Sequence, residues 1–226
     1  MMPRKLKITA DGSPTFYLPH KNESYHSIHG ALTESLHVFI NSGLEHWLEL
    51  NPLNSSLDLL EVGFGTGLNF LLTSSRLKNT KRLATYEAIE AYPLSIDEVE
   101  KFSLNNSFKD YFSSQELMEL HRLPWERVHY FESTMSIKKI KSKVESFSFE
   151  KKYDVVYYDV FAKFLQPELW TSELIQLIAN QVKKNGVFIT YAAFGELRNA
   201  LSKSNMNIER IKGPRGKREI TRAIKH

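Results

Sequence analysis

The chain has 226 residues, 42% of them hydrophobic and 25% charged, with no cysteine and a formal net charge of +4. These values suit one ordinary soluble domain with a sizeable core, and they exclude disulfides, zinc–thiolate sites and a cysteine nucleophile. No apolar run approaches a membrane span, and MMPRKLKITADG lacks the apolar segment of a secretion signal, so a cytoplasmic protein without membrane contact is expected.

Residues 1–30 read as irregular, with an early hairpin around DGSPTFYLP. ALTESLHVFINSGLEHWLEL (31–50) has the spacing of an amphipathic helix, interrupted near Gly43. Residues 1–50 are therefore expected as an extension and helix packed on a single globular unit, 51–226. From residue 51 strands and helices alternate. Strands are predicted at 56–62, 82–89, 127–132, 153–161 and 186–194, and a final hairpin at 207–213 and 217–225. Helices are predicted at 67–78, 93–120 with breaks, 133–144, 170–182 and 195–204. Pro93 and Thr171 mark two of the starts. This alternation implies an α/β fold: a mostly parallel twisted sheet with helices on both faces and a C-terminal antiparallel hairpin. YDVVYYDV is apolar almost throughout, as a central strand must be. Ligands of such sheets bind beyond the carboxyl ends of the strands.

The stretch LLEVGFGTGLNFLL (59–72) joins a strand to a helix through three alternating glycines. Glycine allows a tight turn and close approach of backbone N–H groups to a ligand. The glycines at 63, 65 and 67 do not fit the dinucleotide spacing G-x-G-x-x-G, whose third glycine falls at Leu68. With Glu61 before them they resemble motif I of class I S-adenosylmethionine (SAM) methyltransferases, a Rossmann-like fold. Glu61, Gly63, Gly65, Gly67 and Asn69 are the candidate cofactor-binding residues here. An acid gripping ribose hydroxyls belongs at the end of the next strand, roughly 20 to 30 residues on. YEAIEAYP offers Glu87 and Glu90, and Glu90 lies at the strand exit, just before the helix start at Pro93. After the third strand, HYFEST offers Glu132 or Ser133 for the adenine.

YYDVFAKFLQPELWTSEL places Asp159 at the end of the most apolar strand. A carboxylate there is suited to orient an attacking amine and take its proton, with alignment supplying the rest of the catalysis. Phe161 is a candidate to wall the pocket or stack on a base, and Tyr191, after the last parallel strand, to line it. From Lys203 onward eight Lys/Arg oppose Glu209 and Glu219, a net of +6 that leaves about −2 for the rest of the chain. A basic end of this kind suits an anionic partner such as nucleic acid. His20, His26, His29, His37 and His46 crowd the first fifty residues without metal-ligand spacing, so no metal is expected. Glu34 lies on the first helix, within reach of the pocket or of solvent.

GFGTGLNFL (63–71), IEAYPL (89–94), YYDVFA with the following Pro167, Leu169, Trp170 and Thr171, and KREI (217–220) together resemble one family in order. It is the methyltransferase half of the bifunctional tRNA wobble-uridine enzyme MnmC, with its stand-alone MnmD relatives. GALTESLHVFI (30–40) resembles the family's helix before the domain. The resemblance implies methyl transfer from SAM to the aminomethyl nitrogen of 5-aminomethyl-(2-thio)uridine at tRNA position 34. It implies that Glu90 holds the ribose, that Asp159 sits by the reacting amine, and that Ser133 falls near the usual adenine-side acid. Phe161, Tyr191, Lys217 and Arg218 are the candidate substrate-binding residues, tRNA is the partner and SAM the only cofactor. The family's loop D-G-F-A-P-x-K-N-P reads Asp159-Val160-Phe161-Ala162-Lys163-Phe164-Leu165-Gln166-Pro167 here, with the lysine displaced and Gln166 replacing Asn. The oxidase half of the long family is absent from these residues, so no FAD is expected. Two other readings compete: a class I methyltransferase of a small amine, and a non-catalytic RNA-binding protein on the same scaffold.

Overall fold

The computed structural model describes residues 4–226; residues 1–3 of the stretch read as irregular lie outside the described residues. Strands β1 (Lys5–Ile8), β2 (Pro14–Leu18) and β3 (Glu23–Ser24) form a small antiparallel sheet. The β1–β2 turn has a second role. Ser13 Oγ accepts from Ala31 N and Leu32 N, and Asp11 Oδ2 from Thr33 N at 2.9 Å. The turn thus caps the free N–H groups of helix α1 (Ala31–Ser35), as Asp and Ser do at helix starts. Burial opposes ionisation of Asp11, but hydrogen bonds from Ser13 and Thr33 hold its carboxyl down at about 2.

Helix α1 continues without a break through a π-helical stretch, Leu36–Glu45, into α2 (His46–Leu50). The interruption predicted near Gly43 does not occur. Gly43 is instead where this run comes nearest the sheet: a Cβ there would lie 2.9 Å from Ile189 Cγ2 and 3.4 Å from Tyr157 Cε1.

The main sheet has eight strands. In chain order these are β4 (Ser56–Val62), β5 (Leu83–Ile89), β6 (Val128–Glu132), β7 (Met135–Ile140), β8 (Tyr153–Tyr158), β9 (Val182–Thr190), β10 (Met206–Lys212) and β11 (Glu219–Lys225). In space they run β10-β11-β9-β8-β4-β5-β7-β6. The five central strands, β9 to β7, are parallel, and β6, β11 and β10 are antiparallel additions at the two edges. Alternate residues serve opposite faces. Leu57, Leu59, Val155 and Tyr157 pack with the first helical run, α3 (Leu68–Leu77), α4 (Ile96–Ser103) and α5 (Ser114–Arg122). Leu60, Val62, Val156 and Tyr158 pack with α6 (Ser172–Ala179) and α7 (Gly195–Lys203). The chain leaves β4 toward β5 on one side and reaches β8 on the other, so the strand order reverses between β4 and β8, where open α/β sheets form their ligand crevice.

One predicted element is overturned. Residues 133–144 are not a helix; Met135–Ile140 form β7, hydrogen-bonded between β5 and β6. The lysines of MSIKKIK suggest an exposed helix face, yet Lys139 is 1% exposed. Its Nζ donates to Leu120 O at 2.7 Å and His121 O at 3.0 Å, carbonyls left free at the end of α5. Burial lowers this ammonium to about 8. The helix expected from Pro93 begins at Ile96, behind a Ser95–Glu98 capping box.

Candidate active site

A cavity of about 1380 Å³ opens beyond the carboxyl ends of β4, β5 and β8. Its floor is the turn after β4. There Gly63 N donates to Ile89 O and Asp159 N to Val62 O, both at 2.9 Å, lashing three strand ends together. The three glycines have positive φ for three different reasons. A Cβ on Gly63 would lie 2.2 Å from the carbonyl oxygen of Asp159, so the β4 and β8 exits meet only without a side chain. A Cβ on Gly67 would meet Leu120 Cδ2 at 2.8 Å, so this residue lets α5 close on α3. A Cβ on Gly65 would stand 3.3 Å from Tyr25 Cδ1, a ring that also lines the cavity.

Asp159 follows β8 and lines this cavity. Asn69, the second residue of α3, points its amide between two acids. Its Nδ2 donates to Glu61 Oε1 and to Asp159 Oδ2, each at 2.9 Å. Glu61 is fully buried and also accepts from Tyr86 OH at 2.8 Å. Burial, then the Asp159 charge, push Glu61 well above the usual carboxylate range in spite of these donors. Burial and the nearby Glu34 likewise raise Asp159 to about 7, against Asn69 and Lys217, which lower it. Asp159 is therefore poised between its two protonation states near neutral pH, as a proton acceptor in a catalytic site needs to be.

The loop after β8 is pinned around Phe161. Phe161 N donates to Gln166 Oε1 at 3.1 Å, Trp170 Nε1 to Phe161 O at 2.7 Å, and Tyr191 OH to Val160 O at 2.7 Å. The Phe161 ring meets Tyr25 edge-on at 5.1 Å, so the N-terminal segment and the β8 loop close the cavity together. On the β5 side, Glu90 accepts from Gly65 N at 2.9 Å and Tyr92 N at 2.8 Å. Two backbone donors hold this carboxylate at the cavity edge, and each oxygen keeps a further lone pair for a ligand hydroxyl.

A family model described as S-adenosyl-L-methionine-dependent methyltransferase matches residues 103–226. The chain belongs to this family. Among solved structures the methyltransferase is similar to MNMC2 from Aquifex aeolicus, at 25% identity and a TM-score of 0.79 over 99% of this chain and 70% of that one. It is similar to the tRNA 5-methylaminomethyl-2-thiouridine biosynthesis bifunctional proteins MnmC of Polaromonas naphthalenivorans and Paraburkholderia xenovorans. The first is 30% identical over 93% of this chain and 34% of the relative; the second is 25% identical over 94% and 33%. The chain thus spans about a third of the length of these curated relatives. SAM-bound CalS10, an amino pentose methyltransferase from Micromonospora echinaspora, shares the fold at 11% identity and a TM-score of 0.50 over 80% of this chain and 88% of that one.

The methyltransferase brings Gly63, Gly65, Asn69, Glu90, Asp159, Phe161, Tyr191 and Lys217 to one cavity wall or another. Glu61 and Gly67 lie behind that wall: Glu61 reaches the cavity only through Asn69, and Gly67 is spent on helix packing. Ser133 is misplaced. It turns the β6–β7 hairpin beside Ala84, at the amino end of β5, while Glu90 lies at the carboxyl end. Glu132 shares that end and pairs with Lys78 at 3.2 Å. Because the 133–144 segment is a strand running parallel to β5, its exit, Lys141–Glu145, is what lines the cavity. Arg218 lies not in this cavity but in a smaller adjoining hollow of about 590 Å³, with Phe194 and Arg210. Lys217, expected to face RNA, turns inward and pairs with Glu34. Two contributors escaped the sequence reading, Tyr25 and the 141–145 segment; neither carries a local signal. Among the described residues no group of three or more His, Cys, Asp or Glu is placed to hold a metal ion, and no helix is long and apolar enough to cross a membrane.

Proposed function

We propose that the chain is a SAM-dependent N-methyltransferase acting on the aminomethyl group of 5-aminomethyl-(2-thio)uridine at tRNA wobble position 34, giving the methylaminomethyl product. The observation that carries this reading is the convergence of the Gly63–Gly65 turn, Glu90 and the raised, inward-facing Asp159 on one cavity. The acceptor is inferred from the MnmC relatives, which are tRNA 5-methylaminomethyl-2-thiouridine biosynthesis proteins.

The residues fit SAM. Glu90 would accept ribose hydroxyls on lone pairs that Gly65 N–H and Tyr92 N–H leave free. The exit of β7, with Val144 and Ile89, offers an apolar wall for the adenine. When bound, SAM supplies an electrophilic methyl group. The chain's own task is to deliver a neutral amine. A free alkylamine is mostly protonated at neutral pH, near the lysine reference of about 10.4, and an ammonium has no lone pair. Asp159 would draw the ammonium in, take one of its protons so that the nitrogen gains a lone pair, and aim that nitrogen at the methyl; formation of the N–C bond is matched by cleavage of the methyl–sulfur bond, and the thioether leaves neutral. Asn69 and, behind it, Glu61 fix the carboxylate's direction. Phe161, in edge-on contact with Tyr25, offers an aromatic wall for the base, and Arg218 with Arg210 offers positive charge to the flanking phosphates. The test is mass analysis of wobble nucleosides in hypomodified tRNA incubated with the protein and SAM. The expected gain is one methyl on the aminomethyluridine; an unmodified wobble nucleoside in a preparation that binds SAM overturns the assignment.

A further inference from the structure

In the same cavity the Lys217 ammonium is held between a carboxylate and an aromatic ring. Lys217, in the loop between β10 and β11, lines the cavity and pairs with Glu34 Oε1. Its Nζ also stands over the Tyr191 ring, 3.9 Å from the centroid. A carboxylate beside an aromatic face is a strong environment for an alkylammonium ion. The cradle is built rather than accidental. Glu34 is 6% exposed, and its other oxygen accepts from Ser27 N at 2.7 Å; Tyr191 is held by its hydroxyl to Val160 O. Asp159 is near enough for its charge to couple to Glu34 and Lys217.

We propose that Glu34 and the Tyr191 face form the subsite for the acceptor amine, and that Lys217 is a resident occupant which the incoming primary ammonium displaces. The assignment of that ammonium to an aminomethyl nucleoside rests on the function proposed above. The exchange is neutral: one primary ammonium leaves and another enters, so Glu34 and the nearby Asp159 are never left without a cation. A neutral hydroxymethyl analogue offers no such replacement, so the exchange selects for amines. The β10–β11 loop that carries Lys217 also carries Arg215 and Arg218, which links departure of the lysine to the surface proposed to meet RNA.

The test uses benzylamine and benzyl alcohol as probes in the presence of S-adenosylhomocysteine, so that it does not depend on the identity of the nucleoside. Lys217→Met keeps the stem and removes the charge; Glu34→Gln keeps an acceptor for Ser27 N and removes the charge. We expect Lys217→Met to bind benzylamine at least tenfold more tightly than wild type, with benzyl alcohol unchanged. We expect Glu34→Gln to weaken benzylamine at least tenfold and spare the alcohol. In the wild type, benzylamine at saturation shifts the ¹³Cε resonance of Lys217 away from the ring-current position set by Tyr191, a readout that needs no variant. Equal binding of amine and alcohol across all three proteins, or a Lys217 resonance that stays in place, overturns the proposal. If benzylamine behaves as expected but 5-aminomethyluridine does not, the ammonium site stands and the wobble-uridine reading falls.

Discussion

Asp159→Asn separates the cost of holding the carboxylate from its use. In the folded protein Asp159 is raised from 3.8 to about 7, chiefly by burial and then by Glu34. The sign follows from linkage: the folded state binds this proton more tightly than the unfolded chain, so stability falls as pH rises from 3.8 to about 7 and is lowest above that. At about 1.4 kcal/mol per pH unit the full interval corresponds to about 4 kcal/mol, a ceiling because water in the cavity screens part of the charge. Asparagine has no ionisation to suppress, and its carbonyl still accepts from Asn69 Nδ2. The stability advantage of Asp159→Asn over wild type should therefore grow by roughly 2 kcal/mol between pH 5 and pH 8. Urea denaturation of both proteins at the two pH values, without ligand, measures this difference, and histidine titrations common to both cancel. Methyl transfer to tRNA should fall by roughly 10²–10⁴ with SAM affinity retained. A stability difference that is the same at pH 5 and pH 8 refutes the raised carboxyl; a transfer rate within a few-fold of wild type leaves Asp159 as a loop residue only.

The glycines should separate by mechanism. Gly63→Ala drives a Cβ into the Asp159 carbonyl and should cost about 2–4 kcal/mol in urea melts. Gly65→Ala meets only the movable Tyr25 ring, and should cost about 1 kcal/mol, while Gly65→Val should lower SAM affinity at least tenfold by calorimetry. Calorimetry should also find SAM affinity unchanged in Ser133→Ala and clearly weaker in Glu90→Ala; a loss at Ser133 contradicts its place at the far end of the sheet. Replacing Arg210, Arg215 and Arg218 by Ala should weaken tRNA binding and flatten its salt dependence by at most about one phosphate contact per charge, and an unchanged slope removes this edge from the RNA interface.

Much of the fold was legible because its signals are local. Alternation of YDVVYY with helical stretches implies parallel crossovers, and the run from Glu61 to Gly67 marks the strand–turn–helix at their centre. The segment 133–144 misled because a lysine with a buried ammonium looks the same in sequence as one in water; only the free carbonyls at the end of α5, 18 and 19 residues earlier in the chain, make Lys139 acceptable inside. That single reversal carried Ser133 to the wrong end of the sheet and hid the 141–145 segment. Gly43 misled in the opposite way, since a glycine that breaks an exposed helix also permits a buried one to approach a sheet closely.

At the candidate site, sequence alone determined which residue types stand at the strand exits: the glycine turn, Glu90 and Asp159. Each follows from a strand ending where it must, within a few residues of the motif itself. Tertiary structure decided what those residues face and how they are charged. It set Glu61 behind Asn69 rather than in the cavity, brought Glu34 to Lys217 across 183 residues, and closed the roof with Tyr25 from a segment without a pattern of its own. The reason is physical: a strand end is a property of neighbouring residues, whereas burial and Coulomb coupling are properties of everything that surrounds a group once the chain has folded.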